Sequence, residues 1–217
     1  MKLNIKIPTA LSDITLGQYK RFLAIKDKTE ENRFLNAKMI EIFCNVKLED
    51  VMLLKMSDVN EIIGILSKLF EEKPQLVKQF KLGKVNYGFH PQLDDLELGE
   101  YIELDTYIGD WDNMEKAMNV LYRPILVSLR DKYSIEKHII GKEVVLLNMP
   151  MDAVMSSIFF LWNLGLELSQ VMTNSLENQV DNKALTEFLN SQANGDGIRV
   201  FTDSLSEILQ DLKISLN

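Results

Sequence analysis

Carboxylates are concentrated between Pro91 and Pro124 more densely than any other group that could do chemistry. Nine of them precede the first lysine of that stretch: Asp94, Asp95, Glu97, Glu100, Glu103, Asp105, Asp110, Asp112 and Glu115. A calcium loop needs ligands at alternate positions, a central glycine and a closing glutamate at the twelfth position. The carboxylates around Gly109 do not have that spacing. We therefore interpret the run mainly as a solvated acidic surface, with a docking surface for a basic partner as the alternative.

One tryptophan and one arginine add binding chemistry to this acidic stretch. Trp111 and Arg123 lie at opposite ends of a predicted helix, and both residue types are enriched in protein-binding hot spots. The simpler interpretation, which we favour, is that Trp111 packs beneath the helix and Arg123 pairs with a nearby acid. The candidate partner-binding residues are Asp94, Asp95, Glu97, Glu100, Glu103, Asp110, Trp111, Asp112 and Arg123.

The other reactive side chains form no catalytic, cofactor-binding or metal-binding motif. Neither His90 nor His138 has ligand residues at metal-site spacing. Cys44 lies on the apolar side of a predicted helix, which favours a place in the core. The serines at 156–157 are inside an apolar helix, and the glycine turn at 195–197 lacks the strand and lysine of a phosphate loop. We expect no enzymatic activity, no cofactor and no metal.

Composition predicts a globular protein that does not bind nucleic acid. Of the 217 residues, 46% are hydrophobic and 26% charged, which is ordinary for a folded chain. The formal charge is −8 and the pI about 4.9, whereas nucleic-acid binding needs a basic face, and no basic cluster stands out. The single cysteine fits a reducing compartment. The most apolar window, Val154–Leu168, is too short and polar for a bilayer roughly 30 Å thick, so we expect a cytoplasmic protein without membrane contact.

Hydrophobic periodicity predicts a mainly α protein, a helical bundle with a minor β part. Residues 1–8 alternate apolar and polar side chains, which predicts a short N-terminal strand. Thr15 and Gln18 have the spacing of a capping box at the start of the first helix. Two further helices are predicted over about 31–44 and 58–72, each with an apolar stripe.

The second half of the chain has a similar order of elements. Apolar residues on both sides of Gly83 and Lys84 predict a small β-hairpin near 80–90. Three helices follow, the last of them long and centrally buried: about 99–107, 111–122 and 152–174. Residues 126–148 show no readable periodicity. A final helix is predicted over about 201–212.

A short phrase occurs twice in the sequence, 82 residues apart. Leucine, aspartate, an apolar residue, leucine-glycine and tyrosine have the same spacing in Leu11–Tyr19 and in Leu93–Tyr101. A duplication would divide the chain into strand-helix-helix-helix pseudo-repeats, 1–78 and 79–176, with a C-terminal helical tail, 177–217. Two similar helix entrances in a single compact domain of all 217 residues also explain the phrase, and we favour that interpretation.

Four longer phrases carry a resemblance to a family of uncharacterised tailed-bacteriophage proteins. The chain resembles this family in Ile14–Tyr19 (ITLGQY), Lys38–Phe43 (KMIEIF), Leu98–Tyr107 (LGEYIELDTY) and Met118–Ile125 (MNVLYRPI). The resemblance covers most of residues 1–175 and weakens after that. The family has no catalytic motif to transfer, so the resemblance implies an origin among virion structure and assembly genes.

This resemblance implies a non-enzymatic assembly or structural protein that acts by binding other proteins. An acidic helical chain is similar in character to tail assembly chaperones, which hold the tape measure protein until the tail tube polymerises around it. The alternatives are a ring subunit at the virion neck or tail, and a small regulatory protein that binds a host factor. The expected partners are the tape measure protein, other tail or neck components, or further copies of the chain. The expected location is the host cytoplasm, or the virion for a structural subunit.

Overall fold

The computed structural model describes residues 5–28, 31–130, 132–141 and 146–178, with side chains described up to residue 165. Within these residues the protein is mainly α-helical with a smaller antiparallel sheet, which confirms the predicted class. Seven α-helices and four β-strands follow in this order: α1 (Leu16–Lys26), α2 (Asn32–Phe43), α3 (Leu48–Val51), α4 (Met56–Glu71), β1 (Gln79–Leu82), β2 (Val85–Phe89), α5 (Leu98–Tyr107), α6 (Met114–Leu121), β3 (Tyr122–Leu129), β4 (Lys132–Ile135) and α7 (Met151–Asn178).

Helix α1 begins with the predicted capping box. The Thr15 amide donates to the Gln18 side-chain oxygen at 2.9 Å, and the Gln18 amide donates to the Thr15 hydroxyl oxygen at 3.2 Å. The Gln18 side-chain amide also donates to the Ile42 carbonyl at 2.7 Å. Because these bonds satisfy amides at the helix start and reach α2, one glutamine both starts α1 and joins it to its neighbour.

Aromatic rings hold the N-terminal helices together. Tyr19 of α1 lies between Phe70 of α4 and Trp111, with ring centroids 5.5 and 4.9 Å away. Phe43 of α2 contacts both Phe22 and Phe70 at 5.4 Å. Aromatic pairs at such distances add about 0.5–1.5 kcal/mol beyond area burial. Helices α1, α2 and α4 and the turn that carries Trp111 therefore form one packed unit.

Backbone hydrogen bonds join the segment before α7 to the start of α1. The amides of Leu16 and Gly17 donate to the carbonyls of Met149 and Leu147, at 3.0 and 2.7 Å. These bonds satisfy two amides that a helix start otherwise leaves without partners. A Cβ at Gly17 would lie 3.0 Å from the Leu147 carbonyl oxygen, so the glycine permits this close approach.

The long helix α7 is buried on every side over its first turns, as predicted. Met151 and every residue from 153 to 158 are buried. The two serines in this run have internal partners: the Ser157 hydroxyl donates to the Val154 carbonyl at 2.8 Å, and the Ser156 hydroxyl oxygen accepts from the Val77 amide at 3.1 Å. The second bond ties the stretch before β1 to α7.

The sheet has the strand order β1-β2-β3-β4, with each neighbouring pair antiparallel. The hairpin of β1 and β2 confirms the prediction near 80–90, and Gly83 has the positive φ, 60°, that its turn needs. The hairpin of β3 and β4 was not predicted. Strand β3 begins directly where α6 ends, at Tyr122, and its ladder is interrupted by a bulge between Ile125 and Val127. These features hide the period of a strand in the sequence.

One tyrosine of β4 reaches across β3 and contacts β2. The Tyr133 hydroxyl donates to the carbonyls of Phe89, at 2.6 Å, and Lys78, at 3.2 Å. Its ring occupies the space above Gly88, where a Cβ would come within 2.4 Å of a ring carbon. The missing side chain of Gly88 therefore sets how the second hairpin lies on the first.

The predicted N-terminal strand is wrong for the residues described. Residues 5–9 have no regular secondary structure, although Ile5 and Ile7 are half-buried and pack against the core. Alternation identified the buried side correctly, but a strand also needs a hydrogen-bonded neighbour, and none of the four described strands pairs with this segment. Residues 1–4 lie outside the described residues.

The predicted helix over 111–122 consists of two pieces. A 3₁₀ turn, Trp111–Asn113, precedes α6, and the helix stops at Leu121 because Tyr122 enters β3. Both copies of the repeated phrase have the same local structure, a 3₁₀ turn (Leu11–Asp13 or Leu93–Asp95) followed by a helix. Similar helix entrances and a duplication both account for this, so the duplication stays a prediction.

The remaining C-terminal predictions concern residues that the structure mostly does not describe. The predicted helix over 201–212 and the tail from 177 lie outside the described residues, except for the end of α7. Among the described helices, none combines the length and apolarity needed to cross a membrane.

Replacing Gly88 with alanine should displace the Tyr133 ring and weaken both of its hydroxyl bonds. We expect the free energy of unfolding to fall by about 1–3 kcal/mol, the usual range for overpacking, measured by urea denaturation. Gly64→Ala is the matched control, because a Cβ at this exposed position in α4 meets nothing within 4 Å. That control should be neutral or more stable by about 0.5–1 kcal/mol. Equal effects of the two substitutions would contradict the role of the Tyr133 contact.

Candidate protein-binding face on helix α5

A buried ion pair joins helix α5 to the sheet. An oxygen of the Glu100 carboxylate lies 2.7 Å from the Arg123 guanidinium, and the two side chains are only 6% and 7% exposed. A second Glu100 oxygen accepts from the Glu97 amide at 2.9 Å, at the start of the helix. Because a buried charge is tolerated only when it is paired and hydrogen-bonded, this contact fixes α5 relative to β3.

A second polar contact fixes the next turn of α5. The Glu103 carboxylate lies 2.7 Å from His138 Nε2, and both side chains are largely buried. His90 lies near the Glu100 and Arg123 pair, where burial and then the Arg123 charge lower its pKa. His90 Nδ1 accepts from the Gln92 amide at 3.3 Å, which requires that nitrogen to be unprotonated.

Trp111 and its neighbouring carboxylates belong to the N-terminal packing. The ring of Trp111 lies on Tyr19, and the Asp110 carboxylate accepts from the Asp112 amide at 2.8 Å. Lys20 forms an ion pair with Glu115 and donates to the Asp112 carbonyl at 2.7 Å. Lys20, Asp110, Trp111 and Asp112 are among the residues that line a surface cleft of about 380 Å³, which we call the N-terminal cleft.

The opposite side of α5 exposes large apolar side chains. Leu98, Tyr101 and Ile102 have the spacing of one helical face, and Leu98 and Ile102 are 75% and 55% exposed. Ile140 extends this surface and is 68% exposed. Ile140 can lie against the helix because residue 99 is glycine: a Cβ there would be 2.4 Å from Ile140 Cδ1. We call these four exposed apolar residues, Leu98, Tyr101, Ile102 and Ile140, the α5 face.

Carboxylates precede and follow the α5 face along the chain. Asp94, Asp95 and Glu97 are exposed at its N-terminal edge, and the half-buried Asp105 lies one further turn along from Ile102. Among the described residues, Lys137 contacts this rim in an exposed pair with Glu97 at 3.1 Å, and such surface pairs contribute little stability. The face therefore presents apolar area within a negative potential.

The structure separates the residues predicted for partner binding into two groups. Asp94, Asp95 and Glu97 lie beside the α5 face. The others predicted have partners in the protein or line the N-terminal cleft: Glu100, Glu103, Asp110, Trp111, Asp112 and Arg123. The favoured interpretation of Trp111 as a packing residue and Arg123 as an ion-pair partner agrees with these contacts.

The apolar members of the face were missed in the sequence. The signal that could have revealed them is the spacing of Leu98, Tyr101 and Ile102. At positions i, i+3 and i+4 they share one side of the helix, away from Leu104, the buried leucine of the same helix. In α5 the core-facing positions include a glutamate, Glu100, so the usual assignment of apolar residues to the core fails there.

The described residues offer no evident reactive centre near this face. Among them, no three His, Cys, Asp or Glu side chains are grouped so that they could hold a metal ion. Cys44 is buried at the end of α2, and burial raises the pKa of its thiol to about 11. The α5 face offers a partner exposed apolar area and the charge of the carboxylates beside it.

Comparisons with protein-family models, with curated proteins and with solved structures give no match to this chain.

Replacing Glu100 with alanine should leave the Arg123 charge buried without a counterion. We expect the free energy of unfolding to fall by about 3–5 kcal/mol, as for other broken buried pairs, measured by denaturant unfolding. Glu97→Ala removes an exposed partner of Lys137 and should lower it by less than about 1 kcal/mol. Similar losses for both variants would show that the buried pair does not anchor α5.

Cys44 should resist alkylation in the folded protein. A thiol with a pKa of about 11 is only about 0.1% thiolate at pH 8, and the thiolate is the reactive form. Iodoacetamide at pH 8 should therefore modify Cys44 slowly in buffer and rapidly in denaturing urea, as followed by mass spectrometry. Equal rates in the two conditions would place this thiol outside the core.

Proposed function

We propose that this chain is a non-enzymatic assembly protein of a tailed bacteriophage, similar in role to a tail assembly chaperone, and that its α5 face holds a segment of another virion protein. The observation that carries the proposal is the exposed apolar surface on α5, which has carboxylates beside it. The Glu100–Arg123 pair joins the buried side of the same helix to the sheet. Contiguous exposed apolar patches with a polar rim are typical of protein-binding sites.

The chemistry of the face defines the segment that it would hold. Leu98, Ile102 and Ile140 offer apolar area to aliphatic or aromatic side chains, while Asp94 and Asp95 attract lysine or arginine beside them. The preferred ligand is therefore a basic, apolar segment. The resemblance to phage assembly proteins supports the tape measure protein, or another tail or neck component, as its source.

The two buried contacts that attach α5 to the rest of the protein support binding without large rearrangement. Two of the carboxylates of α5, Glu100 and Glu103, are engaged inward with Arg123 and His138, so the helix presents its outer side in a fixed orientation. Preorganised surfaces lose less entropy on binding than flexible ones. In this role the protein acts in the host cytoplasm and leaves before the virion is complete.

Mass spectrometry of purified virions beside the infected-cell lysate tests the proposed role. A chaperone should be abundant in the lysate and absent from the particle. Stoichiometric peptides of this chain in purified virions would overturn the chaperone role and favour a neck or tail ring subunit.

Co-expression with the tape measure, tail and neck proteins encoded by the same phage tests the binding face. A double variant, Leu98→Asp and Ile102→Asp, should lose capture of its partner, because two charges replace exposed apolar contacts. Leu53→Asp is the matched control: Leu53 is 77% exposed, close to the 75% of Leu98, and lies between α3 and α4. Loss of capture in the control alone, or in neither variant, would contradict binding by the α5 face.

A further inference from the structure

The two hairpins of the sheet diverge at their far end. Strands β2 and β3 pair only through Phe89–Tyr122, Gly88–Arg123 and Tyr87–Pro124. Beyond this register, β2 continues with β1 alone and β3 with β4 alone. Because β2 runs towards the junction and β3 runs away from it, both hairpin turns lie on the same side of the junction. We call this region, residues 81–86 and 125–132, the hairpin end.

The hairpin end exposes apolar side chains on an open strand. Leu126, Val127 and Leu129 of β3 are 61%, 64% and 74% exposed, and Val85 of β2 is 41% exposed. No described strand pairs with the β2-facing edge of β3 over residues 125–129. Exposed edges are usually protected by charged residues or proline, and residues 125–129 contain neither. We therefore expect a binding partner to cover this edge of β3.

Cations also gather at the hairpin end. Four exposed basic side chains come from this end of the two hairpins: Lys81, Lys84, Arg130 and Lys132. Asp131 is the single acidic residue within the same ranges of the sequence. The chain has a formal charge of −8, so the sign of the charge at the hairpin end is opposite to that of the chain as a whole. It does not stand out in the sequence because the two hairpins are separated by α5 and α6.

The hairpin end has the properties that the α5 face selects in a ligand. One surface is apolar with a negative rim, and the other is apolar with exposed cations. Both surfaces are exposed in the single molecule, so neither covers the other within one chain. Apolar surfaces of opposite charge attract and orient each other.

We propose that the hairpin end of one copy of this chain docks on the α5 face of a second copy. The contact is head-to-tail, because it joins two different surfaces, and such contacts generate closed rings or open filaments according to the rotation between subunits. This proposal rests on the α5 face being a protein-binding surface, as proposed above, and names a second copy as an occupant. A ring subunit would keep this contact, whereas a chaperone would exchange it for its client.

Sedimentation velocity of the full-length protein over a range of concentrations tests the proposal. Two variants each remove one side of the contact: Leu129→Asp with Arg130→Glu at the hairpin end, and Leu98→Asp with Ile102→Asp on the α5 face. The wild type should associate reversibly, and less at high salt. Each variant alone should associate roughly tenfold or more weakly. The hairpin-end variant places like charges across the contact, and the α5 variant replaces two apolar contacts with carboxylates that lose their hydration when they are buried. The Leu53→Asp control should behave as the wild type.

Mixing the two variants gives the decisive result. Each retains the surface that the other lacks, so an equimolar mixture should form a 1:1 heterodimer and nothing larger. A wild type that stays monomeric, a variant that dimerises alone through its remaining surface, or a mixture that stays monomeric would overturn the head-to-tail contact. Far-ultraviolet circular dichroism checks that the variants fold. A charge-only variant, Lys81→Glu with Arg130→Glu, repeats the test without changing apolar residues.

The outcome is separable from that of the proposed function. A wild type that captures a phage protein but does not self-associate would overturn this inference alone. A wild type that self-associates but captures none of the co-expressed phage proteins would overturn the assembly role alone.

Discussion

The buried pair of Glu100 and Arg123 is the contact on which both exposed surfaces depend. Glu100 belongs to α5 and Arg123 is the second residue of β3, so one ion pair joins the helix with the outward face to the strand that leads into the second hairpin. Two charges buried in this way contribute less to stability than to specificity of arrangement, since an apolar pair of similar volume often serves equally well. Its role in this protein is to set the orientation of one surface relative to the other.

The sequence predicted elements well where each has its own signal. The capping box at Thr15, the turn at Gly83 and the apolar run after Met151 each encode one element locally, and each is present. The β3–β4 hairpin depends on contacts far away in the chain, such as Tyr133 over Gly88. Periodicity within a short window does not carry that information.

The candidate site could be predicted only in part for a related reason. The sequence shows which residues are charged, but not which charges are paired. Glu100 and Glu103 face Arg123 and His138, whereas Asp94 and Asp95 face outward, and all four share one acidic run. Likewise, Lys81 and Arg130 are far apart in the sequence, and only the pairing of β2 with β3 places their hairpins at the same end of the sheet.

The connection between β4 and α7 has a consequence for how the chain is made. Its described parts contact both helix entrances: Ile140 lies against Gly99, and Leu147 and Met149 accept hydrogen bonds from the first turn of α1. These acceptors for the first turn of α1 thus lie more than 100 residues further along the chain, and such distant contacts slow folding. A nascent chain that ends before residue 146 leaves the amides of Leu16 and Gly17 without these acceptors. The N-terminal helices therefore complete their core late in translation, when the start of α7 has left the ribosome.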